Sequence, residues 1–249
     1  SGNNYTYTFT AVSTGTITAG TLTYVADAKT RVYGAGNPAL TGTVTGFVNS
    51  ETQASATTGT LTFTSTATSA SAVGSYAITG SGLTANSGNY VFAQHANNAS
   101  ALSVTALPVV MSGTRVYDGT TAAAASILTV SNPVGGDVVT VASGSGTLAS
   151  AAVGSRAISS VGTLVLGGAA AANYTVAGGS GSVTITAGTL TYLADAKTRV
   201  YGAGNPALTG TVTGFVNSET QASATTGTLT FASTATSASA VGSYAITGS

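Results

Sequence analysis

A stretch of 63 residues occurs twice in this chain. Residues 19–81 return 168 positions later as residues 187–249 with two changes, Val25 to Leu193 and Thr64 to Ala232. Nothing else in the sequence restricts the fold as strongly. A near-verbatim repeat calls for small units laid end to end rather than one large core. Copies this alike were duplicated recently or kept alike by recombination, as happens in arrays whose length is itself useful. The repeat points to a modular polymer and away from an enzyme with one site.

Within each copy the dominant pattern is alternation with period two, the signature of half-buried strands. LTYV at 22–25, LTGTVT at 40–45, TLTFT at 60–64, SYAIT at 75–79, NYVF at 89–92 and ALSVT at 101–105 all follow it. Glycine, asparagine and proline punctuate these runs, as in GAGNP at 34–38 and NSGN at 86–89. The one helix candidate is NSETQASA at 49–56, where Ser50 is placed to cap a turn or two. Core anchors in the first copy are Tyr33, Phe47, Phe63, Tyr76 and Tyr90.

Composition narrows the classes of function. Only 5% of residues are charged, six acids against six bases, where an ordinary soluble protein has about 25%. So neutral a surface offers no field for nucleic acid or anionic lipid. It also offers little repulsion between chains, which favours self-association into fibres. Regularly placed Val, Ile, Thr and aromatic residues distinguish the chain from a disordered one. Cysteine is absent, removing disulfides and thiolate metal sites. No apolar run reaches the roughly 18 residues of a membrane helix. The first residues, SGNNYTYTFT, are not a signal peptide and read as the middle of something longer.

The 168-residue period holds two kinds of unit, one at 20–106 and another at 107–186, with 187–249 repeating the first kind. Both kinds end on an Asn-Tyr corner (Asn89-Tyr90 and Asn173-Tyr174) and a closing strand at 102–105 or 183–186. Residues 1–19 repeat that closing pattern, and 187–249 stops before its own corner. Connections between units are a few residues long, too short for the swinging of Gly/Ser-rich linkers.

The openings of the units carry a family resemblance. Lys29-Thr30-Arg31-Val32-Tyr33-Gly34, then Asn37-Pro38-Ala39-Leu40, resembles the MBG repeat of the YGX type, and Tyr201-Gly202 opens the second copy in the same way. Arg115-Val116-Tyr117-Asp118-Gly119-Thr120-Thr121, with Asp137 and Asn173-Tyr174, resembles the YDG repeat. Both families occur in large exported bacterial adhesins, including filamentous-haemagglutinin-like exoproteins. The resemblance implies an extracellular or cell-surface, β-rich module with no catalytic residues. It makes 1–19 the closing strands of a YDG-like unit, 20–106 an MBG unit, 107–186 a YDG unit and 187–249 a second MBG unit.

Candidate chemistry is sparse. His95 is the only histidine, so a histidine triad or metal site would rest on one residue. The GAGNP loop leads into proline and a strand rather than the helix a phosphate cradle requires. Asp118 and Asp137, the only acids of the YDG unit, are too few for calcium, which takes six to eight oxygens, several of them carboxylates. No cofactor or metal is expected. Asp27, Lys29 and Arg31 alternate and are expected to form an exposed ion ladder on one strand face. Three Asn-x-Ser/Thr sequences, at Asn4, Asn98 and Asn173, match the glycosylation pattern.

The expected fold is therefore all-β: tandem small domains of about five to seven mostly antiparallel strands. A β-grasp-like order or an immunoglobulin-like sandwich fits, with domains strung as beads on a semi-rigid rod. The expected function is a structural stalk or fibre shaft whose partners are neighbouring repeats and other copies. The alternative is a repeated module binding glycan or a host surface by avidity.

Overall fold

The structure, a computed structural model of the chain, describes residues 4–11 and 15–249. The fold is all-β. It divides into two compact units, Ser1–Leu107 and Pro108–Ser249.

In the first unit the strands are Gly20–Ala26 (β1), Lys29–Val32 (β2), Gly42–Thr45 (β3), Thr57–Thr64 (β4), Gly74–Tyr76 (β5), Thr79–Ala85 (β6), Tyr90–Gln94 (β7) and Leu102–Thr105 (β8). Three small sheets result, ordered β3-β1-β7, β2-β8-β5 and β4-β6. The module closes on itself through two parallel pairs, β1 with β7 and β2 with β8. The pairs β1 with β3, β4 with β6 and β5 with β8 are antiparallel, as expected, and the two parallel pairs join strands separated by a long crossover in sequence. Eight strands appear where five to seven were expected, because several runs break. SYAIT, for example, splits into β5 and the start of β6 where the Ile78 N–H turns aside to the Asn98 carbonyl.

Alternation sorts side chains as the sequence demands. Leu22 and Tyr24 of β1 point inward. Leu22, Ala56 and Tyr90 form one core cluster with Val44, Phe47 and Phe92 against it. Ala67, Ile78, Ala101 and Leu102 form another, flanked by Leu40, Phe63 and Tyr76. The short helix is Gln53–Ala56 (α1), capped by Thr52 rather than by Ser50. Thr52 and Ser55 satisfy each other's backbone N–H groups in a capping box. Ser50 instead sits at φ 63° in the loop before it.

One surface feature expected from the sequence is not built. The ion ladder is absent because the strand breaks between β1 and β2 and Arg31 turns inward, only 6% exposed. Asp27 accepts from the Thr41 hydroxyl instead, at 2.5 Å. The Asn98 sequence is no glycosylation acceptor. Its amide is 3% exposed, accepts the Ala26 N–H at 2.8 Å and donates to the Tyr24 carbonyl at 2.9 Å.

The second unit begins with Leu107–Val116 (β9), Ala122–Ala124 (β10), Leu128–Val130 (β11), Thr140–Ser143 (β12), Ser145–Leu148 (β13), Gly154–Ser160 (β14), Val165–Gly167 (β15) and Tyr174–Thr186 (β16). A six-stranded sheet runs β10-β13-β14-β16-β9-β11, with β12-β15 as a separate ribbon. Val109, Met111, Leu148, Val183 and Ile185 are fully buried there. The same unit continues with Thr191–Ala194 (β17), Gly210–Thr213 (β18), the helix Gln221–Ala224 (α2), Phe231–Ala232 (β19) and Thr247–Gly248 (β20).

Residues 4–11 and 15–19 form no strand, and Tyr5, Tyr7, Phe9 and Ile17 are exposed. Part of the closing pattern expected there, residues 12–14, lies outside the described residues.

Candidate functional site

Each complete module is fastened by its corner tyrosine. Tyr90 starts β7 with its ring buried against Phe47. Its hydroxyl accepts the Val48 N–H at 3.1 Å and donates to the Glu51 carboxylate. Tyr174 starts β16, accepts the Val134 N–H at 2.6 Å and donates to Asp137 at 2.7 Å. In both loops the acid sits three residues after the valine and returns its own N–H to the valine carbonyl. The asparagine of the first corner contributes backbone: the Asn89 carbonyl accepts the Gly20 N–H where β1 and β7 begin to pair. The hydrogen bond to Glu51 holds the Tyr90 phenol above its ordinary pKa, since ionising it would set two negative oxygens together.

The YGX opening is a second fastening. Tyr33 is buried and its N–H donates to the Thr105 carbonyl, while the Gly34 N–H reaches the Ser69 carbonyl. Gly34 adopts φ 84°, the left-handed region that glycine enters freely. Arg31 Nε donates to Asn37 Oδ1 at 2.8 Å, its Nη2 reaches the Thr68 carbonyl, and Asn37 Nδ2 donates to the Ala67 carbonyl at 2.7 Å. Pro38, exposed, follows Asn37 and disfavours a helical backbone there. The second copy repeats the network through Arg199, Asn205 and the carbonyls of Ala235 and Thr236.

The YDG turn is built differently. Asp118 pairs with Arg115 and accepts from the Thr120 N–H at 2.8 Å and the Thr120 hydroxyl at 2.9 Å. Burial alone would raise the Asp118 pKa, but the Arg115 and Thr120 hydrogen bonds outweigh it, and the carboxyl lies below the usual range. Gly119 adopts φ 75°. Tyr117 turns away from its own module: its hydroxyl donates to Glu219 Oε1 at 2.5 Å, and the Gly119 carbonyl accepts from Asn217 Nδ2 at 3.1 Å. The Glu219 bond raises the Tyr117 pKa as Glu51 raises that of Tyr90.

Sequence reading picked out Tyr90, Tyr117 and Tyr174 but not Glu51 or Glu219, and it placed Asp137 in the YDG motif without pairing it to Tyr174. The signal was present, since Val48/Glu51, Val134/Asp137 and Val216/Glu219 share one spacing. His95 accepts the Asn97 N–H and caps a 3₁₀ turn at Ala96–Ser100. Asp118 and Asp137 serve separate partners. Among the described residues no group of three or more His, Cys, Asp or Glu is placed to hold a metal ion.

The second copy carries an open cleft of about 400 Å³ lined by Lys197, Arg199, Tyr201, Leu208, Tyr244 and Ile246, among others. In the first copy the matching residues Lys29–Val32 and Gly74–Tyr76 pair with β8. Tyr201-Gly202 is correspondingly open: Tyr201 is 68% exposed where Tyr33 is 5%, while Gly202 keeps φ 85°.

A model of the MBG domain (YGX type) matches residues 22–100 and 190–249, and a model of the YDG domain matches residues 99–186. No curated protein and no solved structure matches the chain.

Proposed function

The chain belongs to the MBG domain (YGX type) family and carries a YDG domain between its two MBG copies, and from this we propose that it is a non-catalytic repeat segment of an extracellular bacterial stalk or fibre. The observation that carries the reading is the direct seating of one module on the next. Four residues, 187–190, separate β16 from β17, and the YDG turn is bonded by side chains of the following MBG module. Short connections and side-chain ties suit a shaft, where stiffness per module sets reach. The low charge supports lateral association of such shafts.

Negative-stain electron microscopy of the native protein, at the cell surface and in culture supernatant, tests the proposal. A shaft gives fibres with an axial repeat of roughly 60–80 Å, two modules of the size expected from chain length. Compact particles or strings without a regular repeat would sink it and shift the weight to glycan or host-surface binding by avidity, for which glycan screening is the next step.

A further inference from the structure

We propose that the Tyr-Asp-Gly turn of the YDG module is a docking element whose partner is the Asn-Ser-Glu loop of the MBG module that follows it. Tyr117 serves both sides of the joint. Its N–H donates to the carbonyl of Thr186, the last residue of β16, at 2.8 Å. Its hydroxyl crosses to Glu219. The residue just before the connection and the loop beyond it are thus held by one residue, through its backbone and its side chain. Beside it the Gly119 carbonyl takes the Asn217 amide, and a β-carbon at Gly119 would lie 2.4 Å from that of Asn217. The glycine of the motif is therefore required twice, by its own positive φ and by the neighbouring module.

The receiving loop is shaped before it docks. Asn217 and Ser218 have φ of 50° and 61°, and in the first copy Asn49 and Ser50 have φ of 53° and 63°. In the first copy the acid of this loop bonds a phenol of its own module, Tyr90; in the second it bonds Tyr117. The loop is thus a ready acceptor for a tyrosine hydroxyl, and a carboxylate has two oxygens with which to accept. Asp118 stays on its own module with Arg115 and Thr120, which fixes the turn so that Tyr117 and Gly119 face outward. The pairing is a property of the two module types and does not depend on the stalk reading.

The chain has no cysteine, so a pair can be added at the exposed Ser155 and Ser237 for spin labels, and the distance distribution read by double electron–electron resonance. The parent is expected to give one narrow peak. Tyr117→Phe combined with Asn217→Gly, which tolerates the positive φ, broadens it and speeds amide exchange at 187–190. Asn49→Gly, the same change in the first copy, leaves both readouts at the parent's values. Amide protection along β16, unchanged in the variant, separates loss of docking from loss of folding. A distribution as narrow as the parent's in the double variant, or equal broadening by Asn49→Gly, overturns the proposal.

Discussion

The hydroxyl of Tyr174 donates to the Asp137 carboxylate at 2.7 Å while accepting the Val134 N–H at 2.6 Å. Tyr90 makes the same pair of bonds with Glu51 and Val48 in a module of different sequence. One phenol therefore satisfies a loop N–H and a carboxylate at the point where the closing segment begins. Such a clasp ties the middle of each module to its end, and it makes each module depend on its corner.

Tyr174→Phe should destabilise the YDG module by about 1.5–3 kcal/mol, the usual worth of a hydrogen bond to a charged group. The ring stays, so packing is retained and the loss reports the hydroxyl alone. Urea unfolding followed by hydrogen exchange in β16 measures it. An unchanged midpoint would show that the clasp is decorative.

Alkali should loosen the phenol bonds of Tyr90 and Tyr117. Both pKa values are raised in the folded state, chiefly by hydrogen bonds to Glu51 and Glu219. Their stabilisation is fully present below the free tyrosine value of about 10 and is lost as pH rises through the higher folded value. Thermal melts above neutrality, compared between the parent and Tyr90→Phe, should converge in strong alkali. Parallel curves would contradict the sign.

Acid acts on the YDG turn in the opposite sense. The folded pKa of Asp118 is lowered, so its contribution is present above the unfolded carboxyl value of about 4 and disappears as pH falls through the folded one. Asp118→Asn should flatten the acid limb of the stability curve for this unit. A limb as steep as the parent's assigns the acid loss elsewhere.

Arginine at the YGX opening offers an internal comparison. Arg31→Ala removes bonds from a buried guanidinium and should cost about 2–3 kcal/mol. Arg199→Ala removes the same bonds at a position that is only half-buried and should cost less than half as much. Melts of the two variants, with exchange assigning each loss to its module, decide this. Equal costs would mean that burial does not set the value of the network.

Much of the local structure was legible in the sequence. Alternation marked β1, β4 and β7, glycine and asparagine marked the turns, and of the anchors read in the first copy Tyr33 and Tyr90 are buried while Phe47, Phe63 and Tyr76 are half-buried. Neither Glu51 nor Asp137 was read as a clasp partner, although Asp137 was read as part of the YDG motif, because a carboxylate three residues past a valine looks like any solvated charge until a tyrosine some 40 residues away is placed against it. The ion ladder failed for the matching reason: spacing showed Asp27, Lys29 and Arg31 alternating but not the carbonyls that draw Arg31 inward.

The two copies divide sequence from tertiary structure within one chain. Thr52 and Thr220 build the same capping box, Gly34 and Gly202 the same positive φ, and the two Asn-Ser loops the same turn. These depend on neighbours within a few residues and follow from the sequence by itself. Residues 29–32 form a strand, yet the identical residues 197–200 do not. Leu22 and Tyr24 are 0% and 4% exposed, yet Leu190 and Tyr192 are 38% and 51%. A strand's hydrogen bonds and the burial of its inward face both belong to its partner, and β2 finds that partner in β8, some 70 residues on. Tertiary structure alone decides whether those residues become a strand.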